Sequence, residues 1–174
     1  MLHVKKIIIL SLLLSSSFCQ ADNNQTKFEP TWQSLANYKV PKWYKNAKFG
    51  IWAHWGPQCQ PEHGDWYARG MYEENSYYYK SHIKEYGHPS KSGFKDIIHI
   101  WKADKWNPEK LIKLYKRAGA QYFMAMANHH DNFDLWDSKY HQWNATRLGP
   151  HKNIIAGWAK AARHNGLPFG VSVH

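Results

Sequence analysis

Three short apolar runs, each stopping at a histidine, constrain the fold of this chain more than any other feature. The first runs from Lys48 to Trp55, the second from Gln121 to His130 and the third from Pro168 to His174. A helical segment separates the second from the third, which gives a β-α-β rhythm and hence parallel strands. Side chains along a strand alternate between faces. Gly50, Trp52 and His54 therefore share a face, as do Phe123, Ala125, Ala127 and His129, and Gly170, Ser172 and His174. The expectation is that all three histidines sit at carboxyl ends, on the face with the smaller residues, which suits the crowded lumen of a closed parallel barrel. Such barrels carry their active sites at that end. His130 points away from His129 if the strand continues through both.

The chain has 174 residues, against roughly 250 for a complete eight-stranded barrel, and its last residue closes a buried strand. The expected fold class is α/β: the amino-terminal three β/α units of a TIM-like (β/α)8 barrel, truncated. Residues 41–174 form that partial catalytic domain.

Between the first and second strands lies a long excursion, from Gly56 to about Lys105, where a simple βα unit needs only a short loop. Its prolines, Gly64 and the Gly87-His88-Pro89 turn mark loops, with a helix expected near Tyr72 to Tyr86. Tyr and Trp are frequent in it, as in a substrate pocket built at the carboxyl face. Trp43 and Tyr44 are expected on the outside of the barrel. Asn107 to Gly119 is the best-signalled helix, with Asn107 as N-cap and Pro108 at the first helical position. Leu111, Leu114 and Tyr115 are its expected buried stripe. A second helix spans Asn153 to Asn165, with Ile154, Ile155 and Trp158 inward and Gly166 as its stop.

Residues 1–21 read as a secretory signal peptide: Lys5 and Lys6, then the apolar run Ile7 to Leu14, then small and polar residues to Ala21. That run is too short to span a bilayer. Secretion or periplasmic export is expected, with Ala21 ending the signal; lipid anchoring at Cys19 is disfavoured by bulky Phe18 before it. Residues 22–40 read as an amino-terminal arm. Without the signal only Cys59 remains, so no internal disulfide can form, and Cys59 reads as a small buried hydrophobe. The net charge of +10 is spread along the helices instead of forming a stripe, which argues against nucleic acid. Aromatic residues make up 16% of the chain, which suits a carbohydrate ligand because flat rings pack on the apolar faces of sugars.

The run from Phe49 to Gly56, then Asp65-Trp66-Tyr67, then His129-His130-Asp131 followed by Phe133 and Trp136, resembles the amino-terminal half of the catalytic domain of α-L-fucosidases, the retaining glycoside hydrolases of family 29. The resemblance extends over roughly Trp43 to His174. It implies a (β/α)8-like barrel that binds the fucose of a fucosylated glycan at its carboxyl face, with no cofactor and no metal. His54, Trp66, His129 and His130 match sugar-contacting positions of that family. Asp65 stands where many relatives have Glu, Asn132 where Gly is common, and the strand ending in His174 departs from a tyrosine-containing pattern. The implied nucleophilic Asp lies at the fourth strand and the acid/base later still. Both fall beyond residue 174, so this chain alone is expected to be inactive.

The chemistry of the residues agrees. Fucose is neutral, with hydroxyls and a methyl group, and neutral imidazole offers one donor and one acceptor. The expected substrate-binding set is His54, Asp65, Trp66, His129, His130 and His174. Asp131 is expected to orient a histidine or cap the next turn, and Trp52 and Trp55 to serve packing. Two other readings stay open: a metal-dependent barrel hydrolase in which His54, His129 and His174 hold Zn²⁺, and a non-catalytic sugar-binding remnant.

Overall fold

The computed structural model describes residues 28–174, so the signal-peptide reading and the possible anchor at Cys19 lie outside the described residues. Residues 28–40 form a small unit of their own. It holds one helical turn, α1 (Trp32–Leu35), begun by the Thr31 side chain accepting from Ser34 N. None of its residues is buried.

From Pro41 onward the chain forms one α/β unit. Its sheet has three parallel strands in the order β1 (Ile51–Ala53), β2 (Phe123–Asn128) and β3 (Phe169–Val173). A short helix α2 (Lys42–Ala47) leads into β1. Trp43 and Tyr44 do not lie on the outer face. Both gather on Tyr122, at ring separations of 6.3 and 5.4 Å, below the amino end of β2. The Tyr122 ring occupies the space over Gly50, where a Cβ would come within 2.2 Å of it. Any larger residue at position 50 would displace that ring.

The excursion after β1 is helical for much of its length: α3 (Tyr67–Gly70), α4 (Tyr77–Tyr86) and α5 (Phe94–Ile100). The α4 helix begins later than the residue pattern suggests because Ser76 caps it, accepting from Tyr79 N at 3.0 Å. The α5 helix carries no strong helix signal in sequence, having three β-branched isoleucines in seven residues. Burial of Phe94, Ile97 and Ile98 overrides that propensity. His82, fully buried, ties α4 to the rest: it accepts from Tyr67 Oη at 2.6 Å through Nδ1 and donates to the Ser92 carbonyl through Nε2.

The helix signals at Asn107 and Asn153 produce α6 (Pro108–Arg117) and α7 (Ile154–His164). Each cap side chain accepts a backbone N–H at 2.9 Å. On α6 the buried residue is Ile112, while Leu114 is half exposed and Leu111 and Tyr115 are partly covered. The stripe is thus rotated from the expected one. The reason is visible in the layer beneath, where Tyr115 stacks on Phe123 of β2 and fixes which face of α6 meets the sheet. On α7, Ile154 and Trp158 face inward as the pattern implies. Gly157 lets the ring of Trp106 rest directly on the helix, where a Cβ would approach it to 2.3 Å.

Cys59 is exposed at the end of a 3₁₀ turn (Pro57–Cys59), contrary to the buried position expected. The neighbouring Gln58 goes inside instead, with its amide 3.6 Å from Met126 Sδ.

Phe123 is the junction of the core. It is fully buried between Tyr115, Trp158 and Phe169, with ring separations of 5.7, 5.0 and 6.1 Å. Phe123→Ala should cost about 3–5 kcal/mol of stability. Urea unfolding of the two proteins checks this, and a loss under about 1 kcal/mol would mean the cavity collapses without penalty.

Candidate active site

Simple alternation along β2 puts His129 on the wrong side of the sheet. Phe123 and Ala125 are buried beneath the helices, and the opposite face carries Met124, which lies beside Gly170. Register along β2 and β3 then slips: Met126 pairs with Ser172, but Asn128 pairs with Val173. Two residues of β2 thus oppose one step of β3, a β-bulge at Ala127 that reverses the facing of everything after it. His129 emerges on the same side as Trp52, His54, Ser172 and His174. The histidines converge as expected, but on the face opposite Phe123 and Ala125.

The bulge is stabilised by the loop that follows. The Ala127 carbonyl accepts from Leu135 N at 2.8 Å, and the Leu135 carbonyl accepts from Ile155 N in the first turn of α7. Phe133 and Leu135 fill the core on either side of Asp134. That carboxylate accepts from Asn128 Nδ2 at 2.7 Å and lies 3.5 Å from His141 Nδ1. Asn144, fully buried, closes the loop with bonds to the His141 carbonyl and to the backbone of Thr146 and Arg147. These residues carry no apolar periodicity, and their spacing alone gives no signal of the network.

Ring centroids of His54, His129 and His174 are 4.8 to 5.4 Å apart. Trp52 forms the floor, edge-on to His54 and stacked on His174 at 5.8 Å, with its indole N–H donating to Ser172 Oγ at 3.1 Å. It is 47% exposed on that side of the sheet while packing against these two rings. Trp55 packs against Trp101 and Trp106. His130 does not point away from His129. The strand has ended at Asn128, the two rings lie 4.0 Å apart, and Trp66 stacks on His130 at 4.7 Å. Asp65 places Oδ2 3.2 Å from His54 Nε2, close enough for an ion pair but not aligned as a hydrogen bond. Both nitrogens of His54 and Nδ1 of His129 are buried without a hydrogen-bond partner. All six candidate residues therefore meet at one mouth.

Burial, reinforced by neighbouring imidazoles, holds His129 far below the usual histidine range, at about 4. His130 is lowered too, chiefly by burial, with the backbone and carboxylate of Asp65 opposing. Both are neutral near pH 7, which leaves each ring one donor and one acceptor. Asp131 is not turned to these rings. Its Oδ1 caps the turn by accepting from Phe133 N at 3.0 Å, and its Oδ2 is buried without a partner. Burial raises its carboxyl to about 6.

A separate cavity of about 720 Å³ lies on the other side of β1, lined by Trp55, Trp101, Trp106 and Trp158 together with Glu62, Lys102, Asp104 and Lys105. It contains none of the candidate residues. Among the described residues no helix is long and apolar enough to cross a membrane.

Comparison with known proteins bears on this arrangement. The family model described as alpha-L-fucosidase matches residues 15–174. An α-L-fucosidase of Branchiostoma floridae is 33% identical over 171 residues, covering 95% of this chain and 36% of that protein. Human plasma α-L-fucosidase is 32% identical over 152 residues, covering 86% and 32% respectively. The chain thus spans about a third of the length of the curated relatives it matches. Among solved structures, the Thermotoga maritima α-fucosidase in complex with fucose superposes with a TM-score of 0.78 at 34% identity, over 84% of this chain and 37% of that one.

The Asp131 carboxyl gives a test of the buried turn. Its folded value of about 6 lies above the ordinary 3.8, so the folded state holds its proton more tightly than the unfolded one. Its penalty is absent below about pH 4, grows through the interval to about pH 6 and is complete above it. Asp131→Asn keeps the acceptor for Phe133 N and removes the charge. It should stabilise the fold by about 1–3 kcal/mol at pH 7.5 and by little at pH 4. Unfolding titrations at both pH values check this; an equal effect at the two would sink the assignment.

Proposed function

The chain belongs to the α-L-fucosidase family, and from that premise we propose that it is the substrate-binding half of an enzyme that hydrolyses terminal α-L-fucosyl linkages in glycans with retention of configuration. The observation that carries this reading is the convergence of His54, His129, His130 and His174 with Trp66 at the carboxyl ends of three parallel strands. The fucose complex of the Thermotoga maritima relative supports the sugar as ligand. In the proposed enzyme the three β/α units are the first of a (β/α)8 barrel, an extent supported by the share of the relatives that this chain spans. Residues 1–21 are the export signal and are absent from the mature protein, which acts outside the cytoplasm.

Two of the rings hold the sugar without charge. His129 and His130 stay neutral, so they pair with hydroxyls by donating and accepting, and no ion is stranded in the cleft when the sugar leaves. Trp66, 52% exposed and backed by His130, presents a flat wall with an N–H tip. Trp52 closes the floor. A retaining mechanism further requires a nucleophile and an acid/base about 5 Å apart. Asp131 is committed to its turn and Asp134 to Asn128, so neither is assigned to the reaction. Both catalytic carboxyl groups lie later in the polypeptide, and residues 22–174 alone should not turn over substrate.

Following the anomer by NMR during turnover of an aryl fucoside by the full-length enzyme should show the α product first; a β first product removes the retaining assignment. In the same enzyme His129→Ala should lower kcat/KM by about ten- to a hundredfold, the worth of one or two buried hydrogen bonds of about 1–3 kcal/mol in all. Some of that loss should appear in kcat, because contacts near the anomeric carbon tighten in the transition state. Added azide replaces a missing carboxylate and not a missing ring, so it should not restore activity.

A further inference from the structure

The nitrogens of His54, His129 and His174 raise a question that sugar binding does not exhaust. One ligand-capable atom from each lies within 4.8 Å of the other two. Three imidazoles around a tetrahedral zinc, at about 2.0–2.1 Å each, need separations of about 3.3–3.4 Å between their nitrogens. Closing the difference takes a movement of about 1 Å per ring, within the reach of modest side-chain rotations at the ends of strands. Three of the nitrogens in these rings, both of His54 and Nδ1 of His129, are buried with no partner to give up. Asp65 Oδ2 stands 3.2 Å from His54 Nε2, near enough for a small rotation to align it as the carboxylate that orients a histidine bound to metal through its other nitrogen. Of the three, His129 is buried, His54 partly buried and His174 exposed, so the group is reached from the His174 side.

We propose that His54, His129 and His174 form an open three-histidine site that captures a zinc-class divalent cation in competition with the sugar. The ligand set is all nitrogen, which suits Zn²⁺ and its late first-row neighbours and excludes Mg²⁺ and Ca²⁺, which need oxygen. Ion and sugar use the same rings, so each bound state excludes the other. The competition rests on the proposed fucosidase reading; the capture of the ion does not.

The test uses full-length enzyme freed of metal and chelator. Titration with ZnCl₂ in a non-coordinating buffer should show one ion per chain, and MgCl₂ should show none. His54→Gln and His174→Gln should each weaken zinc binding by at least about tenfold, whereas His63→Ala, at the separate His63–Glu85 pair, should not. Cobalt(II) added to the unmutated protein should develop the intense visible bands of a four- or five-coordinate nitrogen site, which keeps the test independent of how well the variants fold. With an aryl fucoside, zinc should raise KM and leave kcat unchanged, and a chelator should reverse it. Absence of stoichiometric binding overturns the site, as does binding unaffected by either glutamine variant. Zinc that lowers kcat without raising KM overturns the shared-ring claim. If the enzyme cleaves no fucoside yet binds zinc through these histidines, the fucosidase reading fails and the metal site stands; turnover without zinc capture is the reverse.

Discussion

The additional residue in β2 is the constraint on which the candidate site depends. A regular strand that buries Phe123 and Ala125 against the helices would carry its next odd-numbered side chains into the same layer, and His129 would be a core residue. The bulge at Ala127 lets one strand keep its outer face for packing and still deliver a polar ring to the inner face. Backbone bonds hold that irregularity first. Ala127 is tied to Leu135 and Leu135 to the start of α7, so the loop after β2 is part of the sheet's register and not a free connection. Asn128, Asp134 and Asn144 then supply the partners that burial of so much irregular backbone requires.

Desolvation dominates the electrostatics of the cleft. Four histidines close together would repel one another strongly if charged, and the carboxylate of Asp65 is too exposed to neutralise them all. Burial eases the conflict at two of them, holding His129 at about 4 and lowering His130 in the same direction. The price is a set of buried nitrogens without partners, which a folded protein tolerates where a ligand will supply them.

Much of this was legible in the residues and some was not. The three parallel strands and both asparagine-capped helices follow from local patterns: turn chemistry, caps and apolar runs; the histidines converge as expected, but His129 reaches their face only through the bulge. Failures occurred where a tertiary contact outweighs a local one. Leu114 faces water because Tyr115 claims the position over Phe123. The Ile-rich α5 is helical because its apolar face is buried, and Gln58 goes inward while Cys59 stays out. The bulge has no signature at all in one sequence, since an inserted residue looks like any other alanine.

The three rings belong to strand ends about 75 and 45 residues apart in the chain, so no local segment can bind what the assembled mouth binds. Occupancy and sheet register are then one equilibrium seen from two sides. A molecule that engages all three rings favours only those conformers in which β1, β2 and β3 are paired with the bulge in place, and it stabilises them by RT ln(1 + [L]/Kd). Affinity for such a molecule becomes a thermodynamic measure of long-range strand pairing. Substitutions buried under the helices, far from the cleft, would be felt there as changes in the population of chains able to bind.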